Sequence, residues 1–266
     1  MSSGVVNREV NSKPRRWGRF LGAFRRAHRK ASVQLGDSAP LLRHLDELRK
    51  RIFKAFLALI FATGISFTFS QQLIEYLATP VGGIENLVSI ELTENIASFM
   101  KVSLLGGFVL AMPVIVYQIM AFILPGLKRS EQRWLLVIVP FATLLFAGGV
   151  AFTWFVMLPT AIPFLVEFMG ITTQVRPDNY FNFITQMMFW IGVCFEMPLV
   201  MMFLAKLKFI TARQLLSGWR YAIVAIAVVA AVVTPTVDPV SMGLVMAPLL
   251  GLYVISIILA AIVGRG

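Results

Sequence analysis

One cysteine, Cys194, occurs in 266 residues, which excludes an intrachain disulfide and leaves that side chain to be read as a small buried hydrophobe. Histidine is nearly as scarce. Only His28 and His44 occur, neither beside a cysteine, so zinc-ligand spacing is missing. There is no HExxH, no GxxxxGK[ST] and no nucleophile elbow. A hydrolase, metalloenzyme or ATPase finds no support; no cofactor or metal is expected, and the chain does not read as an enzyme. Charge is sparse too: 14% of residues are charged against 58% hydrophobic, with a mean hydropathy of +0.80. That balance excludes an ordinary soluble domain.

Long apolar runs are plentiful instead. Six stretches, 52–69, 96–124, 134–157, 181–205, 215–233 and 240–263, approach or exceed the roughly 20 residues that cross a bilayer. None alternates polar and apolar residues as a barrel strand does, so helices must satisfy the backbone in lipid. The expected fold class is an all-α polytopic membrane protein with six transmembrane helices. Pro113, Pro140, Pro198 and Pro248 fall inside these runs, and each predicts a kink. Bent helices side by side favour a curved wall. The fifth run is short, which predicts local thinning of the bilayer.

Basic residues set the orientation, because short loops rich in Lys and Arg stay on the cytoplasmic side. Residues 1–54 hold 14 Lys and Arg against 4 Asp and Glu, whereas the rest of the chain holds 10 against 9. The first loop, QQLIEYLATPVGGIENLVSIELTEN, contains Glu75, Glu85, Glu91 and Glu94 but no basic residue. LKRSEQR then supplies Lys128, Arg129 and Arg133, the next loop a single Arg, and KLKFITARQLLSGWR Lys206, Lys208, Arg213 and Arg220. The alternation predicts six spans with both termini cytoplasmic.

Residues 1–40 form a basic N-terminal arm, expected to be cytoplasmic and partly disordered, and residues 41–266 the membrane domain. The arm lacks the apolar core of a secretory signal, so no cleaved leader is expected. Its basic residues suit anionic lipid, at about 1 kcal/mol each near the surface, rather than nucleic acid, and Trp17, Phe20, Leu21 and Phe24 would dip into the interface. Beyond Pro40, Leu41, Leu45, Leu48 and Ile52 recur at helical spacing. They predict an amphipathic helix running into the first span, with Arg43–Glu47–Arg51 and Asp46–Lys50 pairs along its polar side.

Glu196 stands out in MMFWIGVCFEMPLVMMFLAKL. A carboxylate near the centre of a span costs about 2.5–3.5 kcal/mol on insertion scales, so it must face protein, water or a partner. Pro198, two residues on, should open the helix there. Lys101, near the outer end of the second span, reads as a snorkelling side chain, and Gln186 as a helix–helix hydrogen bond. TPTVDP makes the last two spans a tight hairpin. Pro235 and Pro239 end one helix and start the next, and Asp238 is placed to cap the latter.

Four motifs, HLDELRKRI, AFILPGLKRSEQR, GVCFEMP and WRYAIVAIAVVAAVVTPTVDP, occur in order along these spans. Together they resemble the TatC family, the multispanning core of the twin-arginine (Sec-independent) protein translocase, over roughly residue 41 to the C-terminus. The resemblance implies a cup-shaped bundle in the bacterial cytoplasmic (inner) membrane. That bundle would act as receptor for folded cargo proteins carrying twin-arginine signal peptides. It implies that Glu47 and Glu131 read the two arginines, with Arg49, Phe122 and Pro125 beside them; guanidinium makes forked bonds to carboxylates that Lys cannot copy. It further implies that Glu196 faces the cup's cavity. Thr234, Pro235 and Asp238 would belong to a hairpin that docks TatA- and TatB-like single-span partners, using the transmembrane proton gradient. Self-association is also expected. Met242 and Val254 depart from the polar residues common in the family at that hairpin. The competing reading is an ion or small-molecule transporter coupled through Glu196 and Lys101.

Overall fold

Backbone amides that leave water must be paired within their own segment, and the apolar runs accordingly fold as helices. The computed structural model describes residues 17–123, 135–166, 174–234 and 239–264. Helix α1 spans Trp17–Leu77, α2 Glu94–Ile123, α3 Leu135–Phe152 and α4 Leu158–Val166. After them come α5 Pro177–Phe195, α6 Met197–Lys206, α7 Ala212–Ser217, α8 Trp219–Val233 and α9 Pro239–Val263. Sheet structure among the described residues amounts to one isolated parallel bridge between Leu87 and Val175.

Two units divide at residues 50 and 51. In the first, the expected pair forms on an exposed face of α1, with Lys50 Nζ 2.6 Å from Asp46 Oδ2. In the second, α2, α3 and α5 pack against one another, and α9 packs against α6 and α8. Phe181, Ile184, Met187 and Ile191 recur along one face of α5 and are fully buried with Met157 and Leu158. A smaller cluster gathers around Phe146, with Met112 and Val116 of α2 and Leu199 of α6. Lipid tails are as apolar as leucine, so what holds these helices is close packing rather than escape from water.

Among the described residues, five helical stretches are long and apolar enough to cross a membrane: Arg43–Val81, Glu94–Ile123, Val137–Val166, Pro177–Lys206 and Ser241–Val263. The third extends beyond the expected end at Met157, because α3 runs into α4 through a π-helical turn at Thr153–Met157. Pro159 explains the turn. It has no N–H to give the Phe155 carbonyl, and the Leu158 N–H reaches five residues back to the Thr153 carbonyl.

The expected fifth span is also altered. It is split at Gly218, whose N–H bonds back to the carbonyls of Gln214 and Leu215, while Thr211 and Gln214 form a reciprocal capping box on α7. The longer part, α8, has 15 residues and rises about 22 Å at 1.5 Å per residue, less than the roughly 30 Å hydrocarbon core. Of the four prolines expected to kink spans, Pro198 sits at a helix break, between α5 and α6. Pro113, Pro140 and Pro248 lie inside uninterrupted helices.

Candidate functional site

The break at Pro198 has a local cause. Proline cannot supply the N–H that the Cys194 carbonyl would receive, so α5 stops at Phe195 and Glu196 joins it to α6. The Glu196 N–H bonds to the Val193 carbonyl at 3.1 Å, and its own carbonyl receives the Val200 N–H at 3.0 Å. The side chain is half-buried. It interacts with the Phe146 backbone of α3, and Oε1 is enclosed without a hydrogen-bond partner among the described residues. Its neighbour Cys194 is half-buried and packs against the main core.

The approach of α3 to α5 sets this environment. A Cβ on Gly149 would lie 2.8 Å from the Gly192 Cα and 2.9 Å from the Phe195 Cγ, and a Cβ on Gly192 would lie 2.7 Å from the Phe146 ring. Two glycines facing each other are what let the backbones come this close. An acceptor oxygen is thereby held between three helical segments with nothing among the described residues to satisfy it, an arrangement costly enough to call for a donor from elsewhere.

A second polar cluster lies where α1 ends and α2 and α5 begin. Arg176, just before α5, donates from Nε to Glu94 Oε1 at 2.7 Å and from a terminal nitrogen to Glu91 Oε1 at 3.0 Å. A further bond joins its guanidinium to Glu94. Glu94, chiefly, and then Glu91 hold the guanidinium above its ordinary value. The Val88 N–H donates to the Val175 carbonyl at 3.0 Å, and the Tyr180 hydroxyl to the Leu77 carbonyl at 2.8 Å.

Lys101 belongs to this end too. Its Nζ lies 2.6 Å from Asp178 Oδ1, both side chains being about one-third exposed at 31% and 36%. It is therefore paired across α2 and α5, with Asp178 in the first turn of α5, where the sequence suggested a lone snorkelling side chain. Gln186 also departs from expectation, for its side chain is exposed on α5. The signal for this cluster was present in the sequence as a lone arginine in one loop and four glutamates in another.

Between α1, α2 and the α3–π segment lies an apolar cavity of about 440 Å³, lined by Leu73, Leu105, Gly106, Ala147, Trp154 and Ser66 among others. Ser66 is 2% exposed, and its hydroxyl has no partner among the described residues. Trp154 Nε1 donates to the Tyr76 hydroxyl at 2.8 Å beside the cavity.

The other sequence-derived candidates are spread along the chain. Glu47 and Arg49 lie on α1 within the first unit, Glu47 partly buried and Arg49 exposed. Phe122 is partly buried near the end of α2 in the second. Pro125 and Glu131 lie outside the described residues, as do Pro235 and Asp238. Thr234, at the end of α8, is buried and returns its hydroxyl to the Ala230 carbonyl at 2.8 Å. On α9, Met242 packs against the core while Val254 is exposed.

A family model for the Sec-independent protein translocase protein TatC matches residues 43–248. The chain is 38% identical over 234 residues to the Sec-independent protein translocase protein TatC of Deinococcus radiodurans, covering 85% of this chain and 87% of that one. It is 39% identical over 241 residues to the chloroplastic TATC of Arabidopsis thaliana, covering 89% of this chain and 71% of that protein. A crystal structure of the twin-arginine translocase receptor TatC in DDM superposes with a TM-score of 0.75 at 35% identity, over 82% of this chain and 99% of that chain. With its apolar helices in the same order as the motifs, this membrane protein belongs to the TatC family of Sec-independent protein translocase proteins.

Proposed function

We propose that this translocase component is the receptor that binds twin-arginine signal peptides of folded cargo at the cytoplasmic face of a bacterial inner membrane. In this reading both termini are cytoplasmic. Residues 41–266 form a six-span, cup-shaped domain, and α8 crosses where the bilayer is thinned. Glu47 and Glu131 receive the paired guanidinium groups, with Arg49, Phe122 and Pro125 completing the surface. The hairpin around Thr234, Pro235 and Asp238 recruits TatA- and TatB-like single-span partners, and the proton gradient drives export. The arm of residues 1–40 rests on anionic lipid, and copies of the chain associate with one another.

The observation that carries the reading is the likeness, over most of the chain, to solved structures of the twin-arginine translocase receptor TatC. The enclosed Glu196 oxygen, unpartnered among the described residues, adds to it, because a permanently idle acid within a span would be expensive. An entering helix or water would supply the missing donor. The test is binding of a twin-arginine signal peptide and its twin-lysine variant to the purified protein, alongside Glu47→Ala and Glu131→Ala. Binding lost with twin-lysine and in both variants supports the site. Equal, weak binding throughout refutes it and favours transport through Glu196.

A further inference from the structure

The loop before α2 carries apolar side chains outward in a way that the bundle does not use. Val88, Ile90 and Leu92 alternate along it with relative exposures of 43%, 70% and 98%. Leu92 then continues, at steps of four residues, into Ile96, Met100 and Leu104 of α2, exposed at 67%, 52% and 52%. A four-residue step keeps side chains on one helical face. The loop thus prolongs an exposed apolar stripe of α2 beyond the helix's first turn.

Depth fits the same arrangement. Helix α2 has 30 residues and is about 45 Å long at 1.5 Å per residue, the full thickness of a bilayer with its headgroup layers. Centred in the bilayer, a helix of that length would place its first turn, and Leu92 just before it, at headgroup level. The loop's backbone and acids are held from the side of α5: Arg176 bonds to Glu91, itself still 65% exposed, and to the buried Glu94, the Ile90 N–H donates to Glu94 Oε2 at 3.3 Å, and the Val88 N–H is taken by Val175.

We propose that residues 88–92 are an interfacial anchor, with Ile90 and Leu92 inserted at the boundary between headgroups and acyl chains and the Arg176–Glu91–Glu94 clasp fixing their angle. The occupant of this apolar surface is phospholipid.

The experiment uses the full chain with Cys194→Ser, in vesicles of phosphatidylethanolamine and phosphatidylglycerol. A nitroxide is attached singly at Leu92→Cys, Ile96→Cys, Leu104→Cys or Glu85→Cys. Position 104 is the lipid reference, and position 85, an exposed acid in the preceding turn, the water reference. Accessibility is read with molecular oxygen, which enters lipid, and with a neutral nickel chelate, which stays in water. The ratio of oxygen to nickel accessibility is expected to be several-fold higher at 92 and 96 than at 85, approaching that at 104. A ratio at 92 equal to that at 85 overturns the anchor. Shielding from both reagents with dipolar broadening also overturns it, in favour of a second copy of the chain. With Arg176→Gln, the nickel accessibility at 92 should rise several-fold while 104 stays unchanged, which shows that the bundle is intact. No change at 92 in that variant overturns the clasp.

Discussion

Replacing Gly149 by alanine tests whether the α3–α5 contact is as close as the structure makes it. The added methyl would stand 2.8 Å from the Gly192 Cα and 3.0 Å from the Phe195 Cβ, so what blocks it is backbone and side-chain root, not the movable end of a long side chain. Forcing extra carbon into such a contact costs about 1–3 kcal/mol. Alanine also improves a helix interior by about 0.5–1 kcal/mol over glycine, which would blur the result. Gly148 removes that ambiguity. It lies in the same helix with nothing within 4 Å of its would-be Cβ, so Gly148→Ala gains the helical term without the clash. The difference between the two variants is then the packing cost alone, about 1–3 kcal/mol or a 5- to 150-fold change in the unfolding equilibrium. Equilibrium unfolding of the purified protein, by titrating a denaturing detergent into mixed micelles, measures both. Gly148→Ala should equal or exceed wild type and Gly149→Ala should fall below it. Equal stability of the two variants, within about 0.5 kcal/mol, would show that the helices do not meet as closely as the glycines permit.

Two further outcomes are expected. Lys101→Ala strands Asp178 and should lower stability by about 1–2 kcal/mol, between the exposed and buried limits for a partly exposed ion pair. The Lys101→Ala/Asp178→Ala double variant should lose less than the sum of the single losses in a double-mutant cycle, and strict additivity would argue against the pair. Glu196→Ala should leave insertion and helix content intact by circular dichroism while cutting export of a twin-arginine cargo, whereas unimpaired export would refute a functional role for that carboxylate.

Membrane class and helicity were legible because both rest on local chemistry. Runs such as 96–124 and 240–263 are predominantly apolar, and lipid accepts little but helix. Glu196 was legible for the same reason: a lone acid in LVMMFL-like surroundings is conspicuous whatever the neighbouring helices do. Lys101 was misread because its counterion, Asp178, is 77 residues away in sequence, and snorkelling was the cheapest explanation available from local residues. The π turn at 153–157 was missed although Pro159 stood in view, since a missing N–H can be accommodated by a kink, a break or a widened turn.

The sequence by itself determined the apolar helical segments, the membrane environment, the charge asymmetry of the arm and the four motifs that resemble the TatC family. All of these rest on composition and on residues close together in the chain. The tertiary structure alone decided which distant side chains meet: Lys101 with Asp178, Arg176 with Glu91 and Glu94, and Gly149 with Gly192. It also decided that one oxygen of Glu196 would find no partner among the described residues. Such contacts depend on helix rotation and crossing, which small residues and interhelical bonds set together, and no single segment encodes them.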